Sequence, residues 1–412
     1  MAIDTPARLA ILGAGPLGLE AALYARFLGY DVELLEPDDV GGEVRRQPHL
    51  RSFAPFAAQH SPLGLAAVVA QEERYQPPRD DEYLTGGEWL ERYLMPLAST
   101  DLLADLIRTR TRIVAAGRAG CLKGDLLPSE QDDPDAVERG DYALRLLMVD
   151  GEGRERIADF DGVIDALGNR GRPNFLGESG IPALGERAAR QRPDAPLIYV
   201  VPDVLGAQRE QYAGRHTLVI GAGDSAASTL EQLSKLAILA PETRVTWITR
   251  HMPLDGEPPL ARLTNDPWPR RDALRAAIVG HLAPAGAIEY WPGNAVHSLA
   301  VDEATGGWQV ELLGTRAGVW PFDRIVANVG WQADHDFTRE LHVTINAAND
   351  SVFTDGRRGV SSEPHYHVLG GKRTGRRAPA TFQDGLVQIR ELFALLGDRP
   401  TLDLYHGAIR LP

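Results

Sequence analysis

With 412 residues the chain is too long for one small core and suits two or three domains. Its formal net charge of −14 argues against nucleic acid as the main partner, and 43% hydrophobic with 24% charged residues is an ordinary globular composition. No apolar run approaches the length of a membrane span, and the N-terminus runs straight into a strand without a basic segment and apolar signal region. The expectation is a cytoplasmic protein with no membrane partner.

Arg8-Leu9-Ala10-Ile11-Leu12 reads as a buried parallel strand. Gly13-Ala14-Gly15-Pro16-Leu17-Gly18 follows, a glycine turn that lets backbone approach a pyrophosphate and opens a helix whose positive end faces the phosphates. Leu17, Ala21, Tyr24 and Leu28 are spaced for one buried helix face. After Gly29 the run Val32-Glu33-Leu34-Leu35 is the second strand, and it ends in Glu36. A carboxylate at a strand end, roughly 20 residues beyond the fingerprint, is placed to accept hydrogen bonds from an adenosine ribose.

Further along, Phe53-Ala54-Pro55-Phe56 either walls a dry pocket or packs in the core, and Gly87 to Leu94 lies in a helix-rich stretch. Arg112-Ile113-Val114-Ala115 reads as a short strand, residues 123 to 135 as an acidic solvated loop, and Tyr142 to Phe160 as a strand pair. Gly162 to Gly168 is an apolar strand ending in glycine, as is Asp323 to Gly330. Both endings let backbone pass close to a ligand. Arg190 to Pro196 reads as a polar linker.

A second fingerprint, Gly221-Ala222-Gly223-Asp224-Ser225-Ala226, follows the strand Thr217 to Ile220, with Ala226 where the third glycine would stand. The next strand, Val245 to Thr249, ends in Arg250. A guanidinium there pairs with a ribose 2′-phosphate that an acid would repel, which favours NADPH over NADH; the alternative is a solvent-facing arginine. The proline-rich stretch from Met252 to Pro269 is either a plain excursion or a lid. His365 and His367 alternate as if on one strand face, but no third ligand lies nearby and no metal site is expected. The basic run from Lys372 to Arg377 reads as a solvated loop, with contact to phosphates as the alternative.

Cys121 is the single cysteine, so no Cys-x-x-Cys pair can relay electrons. No catalytic dyad or triad stands out, and the sequence assigns no catalytic residue.

The two fingerprints in this order resemble the two-dinucleotide-binding-domain flavoproteins, the superfamily of flavin-containing monooxygenases, amine N-hydroxylases and thioredoxin-reductase-like enzymes. The resemblance implies an α/β fold of two Rossmann-like, three-layer domains, with a discontinuous FAD domain (residues 1–185 and 336–412) and an inserted NADPH domain (196–335). It places FAD on Gly13, Gly15, Pro16, Gly18, Glu36 and Gly42, with backbone groups of Val114 offered to the adenine. NADPH falls on Gly221, Gly223, Asp224, Ser225, Ala226 and Arg250. Gly168 and Gly330 end segments standing in place of the family's Ala-Thr-Gly, and Gly371 lies in Gly370-Gly371-Lys372, where many relatives have Gly-Asp. The resemblance also points the start of the last helix at the flavin, making Thr381, Phe382 and Gln383 candidate contacts; capping and core packing explain the same residues.

The implied activity is that of an FAD- and NADPH-dependent oxidoreductase, with a monooxygenase acting on a small-molecule substrate and molecular oxygen through a peroxyflavin as the favoured form. A non-oxygenating reductase passing electrons to a quinone or protein, and a non-enzymatic redox-nucleotide-binding protein, are the alternatives. Phe175 to Ile181, the nearest match to the Phe-x-Gly-x3-His motif of several flavin monooxygenases, has no histidine at that spacing.

Overall fold

The computed structural model describes residues 3–125, 127, 137–169, 171–192, 197–254, 257–260, 266–282, 287–354, 361–376 and 381–407. The chain divides into two compact units: Met1–Arg172 joined with Gln332–Pro412, and Pro173–Trp331. The second is thus an insertion in a discontinuous first unit.

The first unit is built on a five-stranded parallel sheet. Strand Arg8–Leu12 lies between Asp31–Leu35 and Gly162–Asp165, with Tyr366–Val368 and Ile107–Arg108 at the edges. Strand alternation makes its three layers. Leu9 and Ile11 enter a core with Leu19, Leu23, Ile389 and Phe393 from the helices Pro16–Phe27 and Phe382–Leu396. Ala10 and Leu12 point to the other face and pack with Leu144, Leu146 and Phe160 of an antiparallel sheet formed by Arg112–Arg118, Leu144–Val149 and Glu155–Phe160. The two helices approach closely at Gly385, where an added Cβ would lie 2.2 Å from Leu17 Cδ2.

The second unit repeats the plan. Strand His216–Ile220 sits centrally in a parallel sheet with Arg244–Thr249, Ile288–Pro292, Arg324–Ala327 and Leu197–Ile198. Leu218 and Ile220 pack with Val296, Trp308 and Val310 of the antiparallel sheet Asn294–Asp302, Gly307–Gly314 and Gly318–Phe322. The helix Asp224–Leu239 buries Ala226, Leu230 and Leu233.

Residues 173–185 belong to this second unit, although the sequence groups them with the first segment. Gly177 bridges Val296 and Leu184 bridges Ser298, while the Leu176 and Ala183 amides donate to buried Glu186 Oε2 at 3.0 and 2.9 Å. Hydrogen bonds to the antiparallel sheet, invisible to local pattern, decide the boundary.

Several local readings change. Phe56 is fully buried against His60 and Tyr93, so it belongs to the core. His365 has φ of 60° and stands outside the strand that holds His367, so the two do not share a strand face. Within the region taken as excursion or lid, Pro269 already begins a helix that runs to His281. Most of the linker and acidic loop, residues 261–265 and Arg377 lie outside the described residues. Among the described residues, no helix is long and apolar enough to cross a membrane.

Candidate dinucleotide sites

In the first unit the glycine turn joins the central strand to the helix Pro16–Phe27, with Gly15 at the N-cap and Pro16 at the first helical position. Gly13 has φ of 97°, and a Cβ there would touch the Ala166 carbonyl oxygen at 3.0 Å. Gly18 is required more strictly: its Cβ would stand 1.7 Å from the Gly13 carbonyl oxygen. Gly15, by contrast, has no heavy atom within 4 Å of an added Cβ. The turn is therefore closed on the protein side and open at Gly15, the cradle a pyrophosphate needs.

Glu36 is almost fully buried at the end of its strand. Its Oε2 accepts from the Ala14 amide at 2.7 Å and its Oε1 from the Asp38 amide at 2.9 Å. Burial pushes the carboxyl above its ordinary range, while the two amides pull it back. Each oxygen has a further lone pair beyond the one these amides use. Gly42, the N-cap of a short helix Glu43–Arg46, would bring a Cβ to 4.0 Å from Glu36 Oε2.

Val114 lies where the register of its strand shifts between Ile113 and Ala115, so it has no ladder partner, and it is 45% exposed. A cavity of about 510 Å³ opens beside this end of the sheet, lined by Pro37, Asp38, Asp39, Arg110, Arg112 and Val149 among others.

Gly168, with φ of 72°, also faces open space. Just before it, Asp165 forms a buried cluster that local sequence does not reveal. Its Oδ1 accepts from the Leu167 amide at 3.0 Å, and its Oδ2 accepts from both Tyr366 Oη and Lys372 Nζ at 2.7 Å. Lys372 is therefore no solvated loop residue: it is 1% exposed and its Nζ also lies 4.8 Å from the Phe337 ring centre. Burial, reinforced by the Asp165 charge, holds the Tyr366 phenol well above its usual value, so it remains a donor. Gly371 begins the short helix Gly371–Thr374 and packs against Asn169, whose Oδ1 would lie 2.9 Å from an added Cβ and would have to shift. Composition around Lys372 reads as a basic loop; a buried acid 207 residues earlier makes it an ion pair.

At the last helix, Thr381 and Asp384 form a reciprocal capping box. Phe382 is half-buried with its ring 5.9 Å from and perpendicular to Trp89, and exposed Gln383 donates to the His60 carbonyl at 3.5 Å. Trp89 and His60 come from a segment with no sequence signature.

In the second unit Gly221 has φ of 133° and would place a Cβ 2.2 Å from the Asn328 carbonyl oxygen. Asn328 is tied to the fingerprint helix by the Thr229 hydroxyl, which donates to its Oδ1 at 2.8 Å. Gly223 is open, like Gly15. Ala226 is fully buried, so its methyl serves packing where Gly18 has no room for one. Ser225 is exposed, as is Arg250 at the end of the second strand. Asp224 is paired with Arg275. Gly330 accepts from the Asn174 amide at 3.0 Å.

The lone Cys121 is buried, with its Sγ 3.7 Å from Arg139 Nη1. Both ring nitrogens of fully buried His367 lack partners among the described residues, and burial lowers it to about 3, a neutral core histidine.

No family model matches the chain, and no curated protein matches it. Solved structures do match. A bacillithiol disulfide reductase from Bacillus cereus is 16% identical with a TM-score of 0.69, over 95% of this chain and 99% of that one. The FAD-bound cadaverine monooxygenase of desferrioxamine biosynthesis from Erwinia amylovora is 14% identical at 0.65, over 96% and 95%. An ornithine N-hydroxylase from Kutzneria is 13% identical at 0.63, over 96% and 100%. Across nearly its whole length, the chain has the fold of the two-dinucleotide-binding-domain flavoproteins.

Proposed function

We propose that the chain is an FAD-dependent, NADPH-consuming oxidoreductase and, within that class, a monooxygenase that places one oxygen atom on a small-molecule substrate. The observation that carries the reading is the asymmetry of two otherwise equivalent glycine turns. The strand beside the first ends in a buried carboxylate, Glu36, and the strand beside the second ends at an exposed arginine, Arg250.

The first unit takes FAD. Gly13, Gly15, Pro16 and Gly18 hold the pyrophosphate at the helix end. Glu36 accepts from the adenosine ribose, Gly42 and the backbone of Val114 line the adenosine, and Gly168, Gly371, Phe382 and Gln383 serve the flavin half. The second unit takes NADPH through Gly221, Gly223, the backbone N–H of Asp224, Ser225, Ala226 and Gly330, with Arg250 on the 2′-phosphate. A flavin held in the first unit would supply the hydride-accepting and electron-transfer chemistry that these side chains lack. The side chains bind and orient.

The single cysteine of the sequence supports an acceptor that reacts with the flavin directly rather than through a dithiol. Likeness to the cadaverine and ornithine enzymes supports a small-molecule substrate, and likeness to the disulfide reductase supports a second reading, a non-oxygenating flavin reductase. Rapid mixing separates them. The protein is reduced anaerobically with NADPH and mixed with oxygenated buffer while the flavin absorbance is followed. Reoxidation in two resolved steps is expected of the monooxygenase, and a single step yielding one hydrogen peroxide per flavin refutes it. Protein that takes up no FAD refutes both readings.

A further inference from the structure

The second glycine turn carries an acid where an anionic dinucleotide approaches. Asp224 is the first residue of the helix Asp224–Leu239. A carboxylate there suits the positive helix end but repels a phosphate drawn to the same place. A separate element neutralises it. Arg275, on the helix Pro269–His281, donates to Asp224 Oδ1 from Nε at 2.9 Å and from Nη2 at 2.7 Å. One turn earlier Arg271 lies 4.0 Å from Asp224 Oδ2 while donating to Asp266 at 2.6 and 2.7 Å. The Asp224 and Arg275 side chains are only 25% and 12% exposed, so water screens their charges less than it screens a surface pair. Next to them is Gly223, which faces open space. A partly buried, ion-paired acid therefore borders the open cradle.

We propose that Arg275 is a positioning residue of the second site that sets its affinity for dinucleotides: by cancelling the charge of Asp224 it lets a pyrophosphate settle on the helix end. The proposal rests on residues 173–331 binding the nicotinamide dinucleotide. Arg275 acts through Asp224, and its effect falls on NADPH and NADH alike because both carry the pyrophosphate. Discrimination between the two stays with Arg250.

The test is equilibrium binding of NADPH and NADH to the FAD-loaded protein, followed by tryptophan fluorescence. Arg275→Gln is expected to weaken both dinucleotides by about tenfold, the effect of one uncompensated charge several ångströms away in a partly screened site. Arg275→Lys keeps the charge and stays within about threefold of wild type on the same grounds. The double variant Asp224→Asn with Arg275→Gln recovers affinity, because without the acid the cation is not needed. A purely structural role for Arg275 gives no such recovery. Unchanged affinity in Arg275→Gln, no recovery in the double variant, or a loss confined to NADPH each overturns the proposal. Wild-type protein that binds neither dinucleotide overturns the assignment of the site instead.

Discussion

Glu20 offers a pH-dependent test of how the first fingerprint helix is anchored. It is fully buried on the helix Pro16–Phe27, where Oε2 accepts from Ser61 Oγ at 2.7 Å and Oε1 from Tyr93 Oη at 2.8 Å. Burial outweighs both hydrogen bonds and raises the carboxyl from 4.5 to about 7. The folded protein therefore holds a proton that the unfolded chain releases between these values. Stability is greatest below about 4.5 with respect to this group, falls as pH rises towards 7, and levels off above that. At about 1.4 kcal/mol per pH unit, the shift is worth about 3 kcal/mol. Glu20→Gln is nearly isosteric and cannot ionise. Urea unfolding of both proteins between pH 4.5 and 8.5, followed by circular dichroism, should show the wild type losing about 3 kcal/mol relative to the variant across this range. Parallel stability curves would refute the reasoning, because they would mean that Glu20 titrates alike in folded and unfolded chains.

Other substitutions address the two sites and the buried ion pair. Gly18→Ala puts a methyl group 1.7 Å from the Gly13 carbonyl oxygen, so the turn must open and the purified protein should lose its flavin absorbance; full flavin content would contradict the cradle. Lys372→Met leaves Asp165 charged and buried without its partner, an expected loss of about 3–5 kcal/mol in thermal or urea unfolding. Adding Asp165→Asn should restore much of that loss, and a double variant no better than the single one would argue against charge as the cause. Arg250→Gln should weaken NADPH binding by about tenfold or more while leaving NADH within about twofold, read as dissociation constants; equal losses would remove Arg250 from the 2′-phosphate.

Both strand–glycine turn–helix units were legible because their signals are short-ranged. Apolar runs set the parallel strands, and Gly18 meets a steric limit set by the Gly13 carbonyl a few residues earlier, whereas Gly13 and Gly221 are constrained by the distant backbone of Ala166 and Asn328. Glu36 was legible for the same reason, since its position at the strand end follows from counting residues. Charged groups were harder, because a lysine in a run with Arg373 and Arg376 looks solvated until the fold brings Asp165 against it. Glu20, Tyr93 and Ser61 are likewise remote in sequence and joined only by packing. The sequence by itself thus determined where two dinucleotide-type turns form and how their strand ends differ in charge. The tertiary structure alone decided which charges are paired, Lys372 with Asp165 in the core and Asp224 with Arg275 at a partly exposed site, and that residues 173–185 join the inserted unit. The physical reason is that local sterics are encoded within a few residues, whereas desolvation and pairing depend on partners tens to hundreds of residues away.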